Sequence, residues 1–208
     1  MSIGAGNSGF NGLYTIIART SELLSLLDTK QAFIDAREKG QVNDWTHLYG
    51  EALTMKAFCY FELVKHYGDV NTAATDYELN SRFDIYDNVI SMLKEAAPLM
   101  YKLGEGSITA ERFSRGFAEA LCGMAALYSA GWQTVRTDVP GLYGDVQLET
   151  KGKEEYKSIY ARRTDYLDYY KIAEYYLDEA VKNRGTATLV TVDDRGYANN
   201  PFQRHFQY

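Results

Sequence analysis

The chain has 208 residues, of which 46% are hydrophobic and 24% are charged, a balance typical of a folded protein with a substantial core. Its net charge of -6 and sequence pI of about 5.1 argue against a nucleic-acid partner, because affinity for a phosphate backbone comes from clustered lysine and arginine. The 18 tyrosines and 9 phenylalanines form an aromatic surplus that can serve core packing, interfaces or stacking on sugars.

The first predicted segment, residues 1–9, is a flexible leader. Gly4, Gly6 and Gly9 spell a GxGxxG pattern, but that pattern binds a dinucleotide only when a β-strand feeds it, and here only Met-Ser-Ile precedes it. The segment has neither a basic start nor a long apolar run, so it is not a signal peptide. If the natural protein is exported, we expect its leader to lie outside this chain.

Three helices are predicted in the next part of the chain. Apolar residues recur at spacings of three and four over residues 10–27, and a shorter helix covers 30–39. The third helix spans 43–66, begins at polar residues able to cap it and stops at Gly68. It is apolar around much of its circumference, which predicts a central helix packed on more than one side.

Two further helices follow a polar loop. The sequence Ser81-Arg-Phe-Asp84 predicts a capped start for a helix over 81–103, with Pro98 kinking or ending its last turn. Residues 114–132 are rich in alanine and glycine and predict close packing of one helix on another. Because Glu119 interrupts the apolar run, which is also too short for a bilayer, a membrane span is the weaker interpretation.

A long connection, residues 133–163, contains one proline and several glycines. Connections of this length are uncommon without a function. The last clear helix covers 165–183. Residues 186–208 form an irregular tail with one β-like run, and we expect that the chain was cut there from a longer protein.

The helices repeat in pairs. Glu51-Ala52-Leu53 recurs 68 residues later as Glu119-Ala120-Leu121, and Tyr86 and Leu93 recur 84 residues later as Tyr170 and Leu177. The two spacings differ by 16, which places the additional residues inside the long connection. Repeated helix pairs stack because one pair cannot bury its apolar faces alone. The predicted fold is therefore all-α, with one domain of stacked helix pairs over 10–185 and long inserted loops.

Residues that perform catalysis or hold metals show no recognisable pattern. Cys59 and Cys122 lie inside predicted helices and are interpreted as buried thiols. The histidines His47, His66 and His205 lack metal-ligand spacing, and no nucleophile elbow or phosphate-binding loop occurs. The sequence therefore predicts no catalytic residue, no metal and no cofactor.

The third helix and its exit, EALTMKAFCYFELVKHYGDV, resemble the signature helix of the SusD/RagB family of Bacteroidetes outer-membrane proteins. The residues that match its pattern are Glu51, Ala52, Ala57, Tyr60, Phe61, Leu63, Tyr67, Gly68 and Val70. We expect them to have structural roles. Further segments match in the family's order, including the NPF sequence near the end of the chain. Lys56 and Asn71 depart from the pattern, where the family usually has arginine and proline.

The resemblance implies a TPR-like scaffold that captures glycans without catalysis and delivers them to a SusC-like TonB-dependent transporter. Members of the family carry a lipidated N-terminal cysteine and a chain more than twice as long. We therefore interpret this chain as a truncated, largely helical portion of a surface-exposed outer-membrane lipoprotein, held at the membrane only through an anchor that this chain does not contain. Which glycan it binds is not indicated.

The long connection is the natural place for a glycan site, because loops on a rigid scaffold suit such sites. The candidates are Trp132, Arg136, Tyr143 and Tyr160, although Trp132 can equally pack against the end of the preceding helix. Two other functions stay open. A TPR-like adaptor would bind peptides on its concave helical face, and a glycan-processing enzyme would need two carboxylates about 5 to 9 Å apart across a cleft.

Overall fold

The structure, a computed structural model, describes residues 3–72, 78–189 and 191. In this part of the chain the helices are α1 (Ile3–Leu27), α2 (Gln31–Glu38), α3 (Asp44–Tyr67), α4 (Arg82–Ala96), α5 (Arg115–Ala130) and α6 (Tyr166–Lys182). The strands are β1 (Gln133–Arg136), β2 (Leu148–Glu155) and β3 (Ser158–Arg163). The predicted helical architecture is confirmed, and a small sheet that the sequence did not predict is added to it.

Side-chain caps set the starts of the central helices. The Asn43 side chain accepts hydrogen bonds from the backbone N–H groups of Trp45 at 3.0 Å and Thr46 at 3.1 Å. The Thr46 hydroxyl accepts in return from the Asn43 N–H at 2.9 Å, which completes a capping box. The Ser81 and Ser114 hydroxyls cap α4 and α5 by accepting from the backbone N–H groups of Asp84 and Phe117. The sequence predicted these starts correctly because capping depends on local residues.

The junction of α3 with α4 is closely packed. Helix α4 ends at Ala96 and passes into a 3-10 turn over Ala97–Leu99 that contains Pro98, so the proline ends the regular helix. Met100 then extends away and buries its side chain over Gly50 of α3. A Cβ atom at Gly50 would lie 2.5 Å from Met100 Cγ and 3.0 Å from the Ala96 carbonyl oxygen. The glycine is therefore what allows this close approach.

The two repeated helix pairs stack on each other. Helix α3 packs on α4, α5 packs on α6, and α4 and α5 lie against each other between them, while α1 covers the other side of α3. At Gly123 of α5 an added Cβ would lie 2.6 Å from Leu177 Cγ and 3.1 Å from the Ala173 carbonyl oxygen. The small residues of α5 thus allow close helix packing, as predicted.

Residues 3–9 differ from the prediction, because they belong to α1 and not to a flexible leader. The helix that begins at Ile3 is continuous with the predicted helix that follows it, and extending an existing helix costs less than starting a new one. Phe10 also fixes this end, with its ring 4.8 Å from that of Tyr14 and 5.0 Å from that of Tyr67. The predicted outer boundaries of the helical domain stay predictions.

The long connection contains the three-stranded sheet, in the order β1-β3-β2 with antiparallel pairing throughout. Gln133 pairs with Ala161 and Arg136 with Ser158, while Thr150 pairs with Ala161 from the other side. The sequence predicts a long inserted connection here and no strands, because β2, with the sequence LETKGKEE, is polar and largely exposed. A strand of this kind lacks the apolar alternation by which strands are recognised.

Two buried anchors hold the sheet to the helices. Arg163 on β3 is 4% exposed and donates to Asp87 of α4 at 2.9 Å, to Ser129 of α5 at 2.9 Å and to Asp165 at 2.6 Å. Its guanidinium carbon also lies 3.6 Å from the centre of the Tyr169 ring of α6. The second anchor is a cluster of buried side chains, Phe83 of α4, Val135 and Ala161. The sheet is therefore fixed in position relative to both helix pairs.

The C-terminal tail is described only in part. Residues 187–189 have no regular secondary structure. Residues 190 and 192–208, which include two of the seven residues of the β-like run (186–192) and the whole NPF segment, lie outside the described residues.

Candidate functional site

The outer face of the sheet follows from strand alternation. Val135 and Ala161 point inwards to Phe83, so their neighbours in sequence point away from the helices. Strand pairing then brings side chains from all three strands onto the same outer face. The members of this face are Thr134, Arg136, Glu149, Lys151, Ser158, Tyr160 and Arg162.

Four side chains form an aromatic shelf on this face: Trp132, Tyr160, Arg162 and Tyr166. The rings of Trp132 and Tyr160 are stacked, with centroids 5.7 Å apart and planes 13° from parallel. The guanidinium carbon of Arg162 lies 4.8 Å from the Trp132 ring centroid and 3.4 Å from that of Tyr166. Tyr160 is 46% exposed, so the shelf offers an aromatic surface to solvent.

The Arg162 side chain is held from two sides. Its Nε donates to Glu149 of β2 at 2.7 Å, and the guanidinium lies over two rings of the shelf. A planar guanidinium suits such stacking, whereas a lysine ammonium does not. The shelf is therefore fixed before any ligand arrives, which reduces the entropy lost on binding.

A polar cleft of about 470 Å³ opens beside the shelf. It is lined by Val64, Lys65, Arg82, Tyr86, Leu127, Tyr128, Gly131, Trp132 and Gln133. The cleft lies where the ends of α3 and α5 meet the start of α4 and the beginning of β1. Trp132 belongs to both the cleft and the shelf, so the two form one continuous surface.

The floor of the polar cleft is aromatic, and its wall carries an unused hydrogen-bonding group. Phe61 of α3 lies beneath, with its ring 5.2 Å from that of Tyr128 and 6.2 Å from that of Tyr86. Burial raises the pKa of the Tyr86 phenol, so it stays a neutral hydroxyl. Gln133 has a buried Nε2 atom with no hydrogen-bond partner among the described residues. A buried donor of this kind is ordinarily paired by an ordered water molecule that accepts its hydrogen bond.

The structure brings two of the four predicted site residues together and gives the other two internal partners. Trp132 and Tyr160 stack on the shelf. Arg136 lies on the same face but pairs with Asp138, at 2.7 Å and 2.8 Å. Tyr143 donates its hydroxyl to Asp69 at 2.6 Å and accepts from the Arg136 N–H at 3.3 Å.

The surroundings of Tyr143 are those of a residue that supports the fold. Its ring lies 6.0 Å from that of Phe83, nearly perpendicular to it. Burial, and next the hydrogen bond to the Asp69 carboxylate, raise the pKa of Tyr143 to about 12. Asp69 itself is 3% exposed at its side chain and also pairs with Arg82. Tyr143 therefore ties the loop before β2 to the start of α4.

Sequence reasoning missed Arg162, Tyr166, Tyr128 and Gln133. The alternation of SIYARR was a usable signal, because it puts Tyr160 and Arg162 on one face of a strand. Tyr128 and Gln133 come from different elements. Their convergence depends on how the sheet docks on the helices, which no local pattern encodes.

The signature residues of α3 lie in structural positions. Ala52 and Ala57 are buried in the core, and the Tyr60 hydroxyl donates to the Thr72 carbonyl at 2.5 Å. Glu51 accepts hydrogen bonds from the side chain of Arg112 and from the backbone N–H of Phe113.

At the end of α3, Tyr67 packs on Phe10 of α1, and Gly68 has a φ of 77°. Arg82 lies so close that a Cβ on Gly68 would be 2.6 Å from its guanidinium nitrogen. Only glycine adopts this backbone and leaves that space. Together with Phe61 under the cleft, these residues support the site from below.

The described residues contain neither a metal-ligand cluster nor a membrane-spanning helix. There, no three histidine, cysteine or acidic residues come together as a metal site would require. None of the described helices combines the length and the apolar character of a membrane span.

Fold and site together define a stack of helix pairs that carries an aromatic surface on an inserted sheet. A SusD-like family model, described as "Starch-binding associating with outer membrane", matches residues 5–124, which is more than half of the chain. The chain therefore belongs to the SusD-like family, which is associated with the outer membrane. The match ends within α5, so it covers most of α1, all of α2 to α4 and part of α5, and stops short of the shelf.

Solved structures share the fold. A crystal structure described as containing xylogluco-oligosaccharide matches with a TM-score of 0.58 at 16% identity, over 88% of this chain and 31% of that one. A SusD superfamily protein from Bacteroides fragilis matches with a TM-score of 0.56 at 16% identity, over 86% and 31%. This chain thus spans about a third of the length of each. No curated protein matches the sequence.

Proposed function

We propose that this protein captures glycans at the outer-membrane surface without catalysis, and that the aromatic shelf and the polar cleft form its binding site. The observation that carries the proposal is the position of Trp132. One face of a rigid, partly exposed aromatic surface and one wall of a cleft meet at this single side chain. Membership of the SusD-like family supports a glycan as the ligand.

The chemistry of the surface suits a sugar. Flat rings such as Trp132 and Tyr160 can lie against the apolar C–H face of a pyranose, with little conformational entropy to lose. The hydroxyls of Tyr86 and Tyr128, which line the cleft, can then bond to sugar hydroxyls. A few placed polar groups among aromatic side chains are the usual composition of a small-molecule site.

The carboxylates near the site support capture without catalysis. Asp69 is bound to Arg82, Glu149 to Arg162, and Glu62 to Lys65. A glycosidase needs one carboxylic acid kept protonated and a second free carboxylate across the cleft. Each of these three carboxylates is instead engaged by a basic side chain of this chain.

Delivery to a SusC-like TonB-dependent transporter, and attachment as a surface lipoprotein, complete the proposal. The support for both is the family's association with the outer membrane. Within that arrangement this chain supplies a helical scaffold that carries one glycan surface. Pull-down of a SusC-like transporter by the full-length protein tests the delivery step, and failure to recover the transporter would refute it.

Isothermal calorimetry against a panel of oligosaccharides tests the site. The panel contains α-glucan, β-glucan, xyloglucan, mannan and galactan hexamers. We expect wild type to bind at least one of them, and Trp132→Ala and Tyr160→Ala each to lose at least about tenfold in affinity. Tyr156→Ala is the matched control, because Tyr156 lies on the same sheet at the hairpin tip and is 97% exposed. Equal losses in all three variants, or none, would contradict the proposed site.

A further inference from the structure

We infer that the site selects uncharged glycans over those that carry carboxylate or sulfate groups; this rests on the proposed function and adds the class of its ligand. The observation behind it is that four of the five basic side chains that line the shelf face and the cleft already hold a carboxylate of this chain. These pairs are Lys65–Glu62, Arg82–Asp69, Arg136–Asp138 and Arg162–Glu149.

In the cleft the pairs are close and partly buried. Arg82 Nε lies 3.1 Å from Asp69 Oδ1, and the two side chains are 17% and 3% exposed. Lys65 Nζ lies 2.6 Å from Glu62 Oε1, with side chains 30% and 20% exposed. An anionic sugar would have to compete with these fixed carboxylates for the same donors. It would also bring a third charge close to Asp69 and Glu62, which repel it.

On the shelf, Arg162 is also paired with a carboxylate of this chain, because its Nε donates to Glu149 at 2.7 Å. Its guanidinium faces are already covered by Trp132 and Tyr166. The remaining base is Lys151, which lies opposite Tyr160 in the strand register, is exposed and has no ion-pair partner among the described residues. A single solvated ammonium attracts an anion weakly at physiological salt.

The uncommitted groups of the site are of the opposite kind. The phenols of Tyr86 and Tyr128 line the cleft, and neither hydroxyl makes a hydrogen bond to another described residue. Neutral donors and acceptors pair with sugar hydroxyls without the cost of taking a charge out of water. The chain's net charge of -6 adds a general repulsion of anions.

The test compares matched ligands. For each hexasaccharide of the panel, calorimetry measures binding of the neutral form and of the same chain with its free C6 hydroxyls oxidised to carboxylates. We expect at least tenfold weaker binding of the oxidised form, and a neutral-ligand affinity that changes less than about twofold between 50 mM and 500 mM salt, since no ion pair forms. Oxidised forms that bind as tightly as neutral ones would overturn the inference.

Variants make the comparison sharper. Glu149→Gln releases Arg162 from its carboxylate, so it should raise affinity for the oxidised form severalfold relative to affinity for the neutral form. Glu22→Gln on α1 removes the same charge from an exposed position outside the shelf and the cleft, and should change neither. If Glu149→Gln and Glu22→Gln behave alike, the pairing of Arg162 does not set selectivity. Absence of binding to every glycan, neutral or oxidised, would refute the proposed function itself.

Discussion

Replacing Arg163 with methionine should detach the sheet from the helices. Methionine keeps much of the aliphatic volume but removes the guanidinium, which is 4% exposed and bonded to Asp87, Ser129 and Asp165. It also removes the cation that lies 3.6 Å from the Tyr169 ring centre. The variant therefore loses every polar link between β3 and the helix pairs that Arg163 provides.

The size of the loss follows from what each partner does afterwards. The side chains of Asp87 and Asp165 are 38% and 51% exposed, so water can solvate them once the arginine is gone. Ser129 is fully buried and is left without its partner, which costs about 1 to 3 kcal/mol. Adding the loss of charge-assisted hydrogen bonds, reduced for rehydration, we expect about 2 to 4 kcal/mol less stability.

Urea unfolding measures the effect. With an m-value of about 2 to 3 kcal/mol/M, the Arg163→Met midpoint should fall by about 1 M. Arg136→Met is the matched control, because Arg136 lies on the same sheet but pairs with Asp138 at the surface, where ion pairs contribute little. A midpoint shift for Arg163→Met no larger than that of the control would refute the role of Arg163 as an anchor.

Three further outcomes are expected. Gly50→Ala should destabilise by about 1 to 3 kcal/mol in thermal unfolding, because its Cβ meets Met100 and a backbone oxygen, whereas Gly12→Ala on α1, with nothing within 4 Å, should not destabilise. Burial lowers the pKa of His47 below its usual 6.5. As the pH drops below about 6.5, the imidazole takes up a proton in the unfolded chain before it does so in the folded one, so the free energy of unfolding falls. Urea titrations should show a shallower fall with pH for His47→Asn, and equal slopes would contradict this. Burial raises the pKa of Cys59 to about 11 and of Cys122 to about 12, so an aromatic disulfide reagent at pH 8 should label both thiols only on unfolding, and rapid labelling of the native protein would contradict their burial.

The helices were predictable because their signals are local. Asn43, Ser81 and Ser114 mark helix starts, Gly68 marks an end, and the apolar spacing of three and four gives the helical period between them. Repetition of Glu-Ala-Leu and of the tyrosine positions then indicated which helices pair. These features can be recognised in a single sequence because each depends on residues only a few positions apart.

The sheet and the site were predicted less well, for a physical reason. Trp132 and Tyr160 were candidates by type and location, but their stacking depends on the register of β1 on β3, which is decided by residues far apart in the sequence, such as Gln133 and Ala161. Tyr143 was a candidate for the same reason, as an aromatic residue in the long connection, but its hydroxyl donates a hydrogen bond to the buried Asp69. Glu119 is a similar case. The sequence predicted it as a charged interruption of an apolar helix, but its side chain is buried and accepts a hydrogen bond from the amide nitrogen of Asn183 at 3.0 Å.

The chain contains two tryptophans, and this allows a direct test of the central claim that Trp132 joins the shelf and the cleft in one glycan site. Trp45 lies at the start of α3, outside both, and is 41% exposed. In two-dimensional ¹H–¹⁵N NMR each indole N–H gives its own resonance. On titration with the best-binding hexasaccharide we predict that the Trp132 indole resonance moves with ligand concentration while that of Trp45 stays fixed. Saturable binding that leaves the Trp132 resonance in place would contradict the claim.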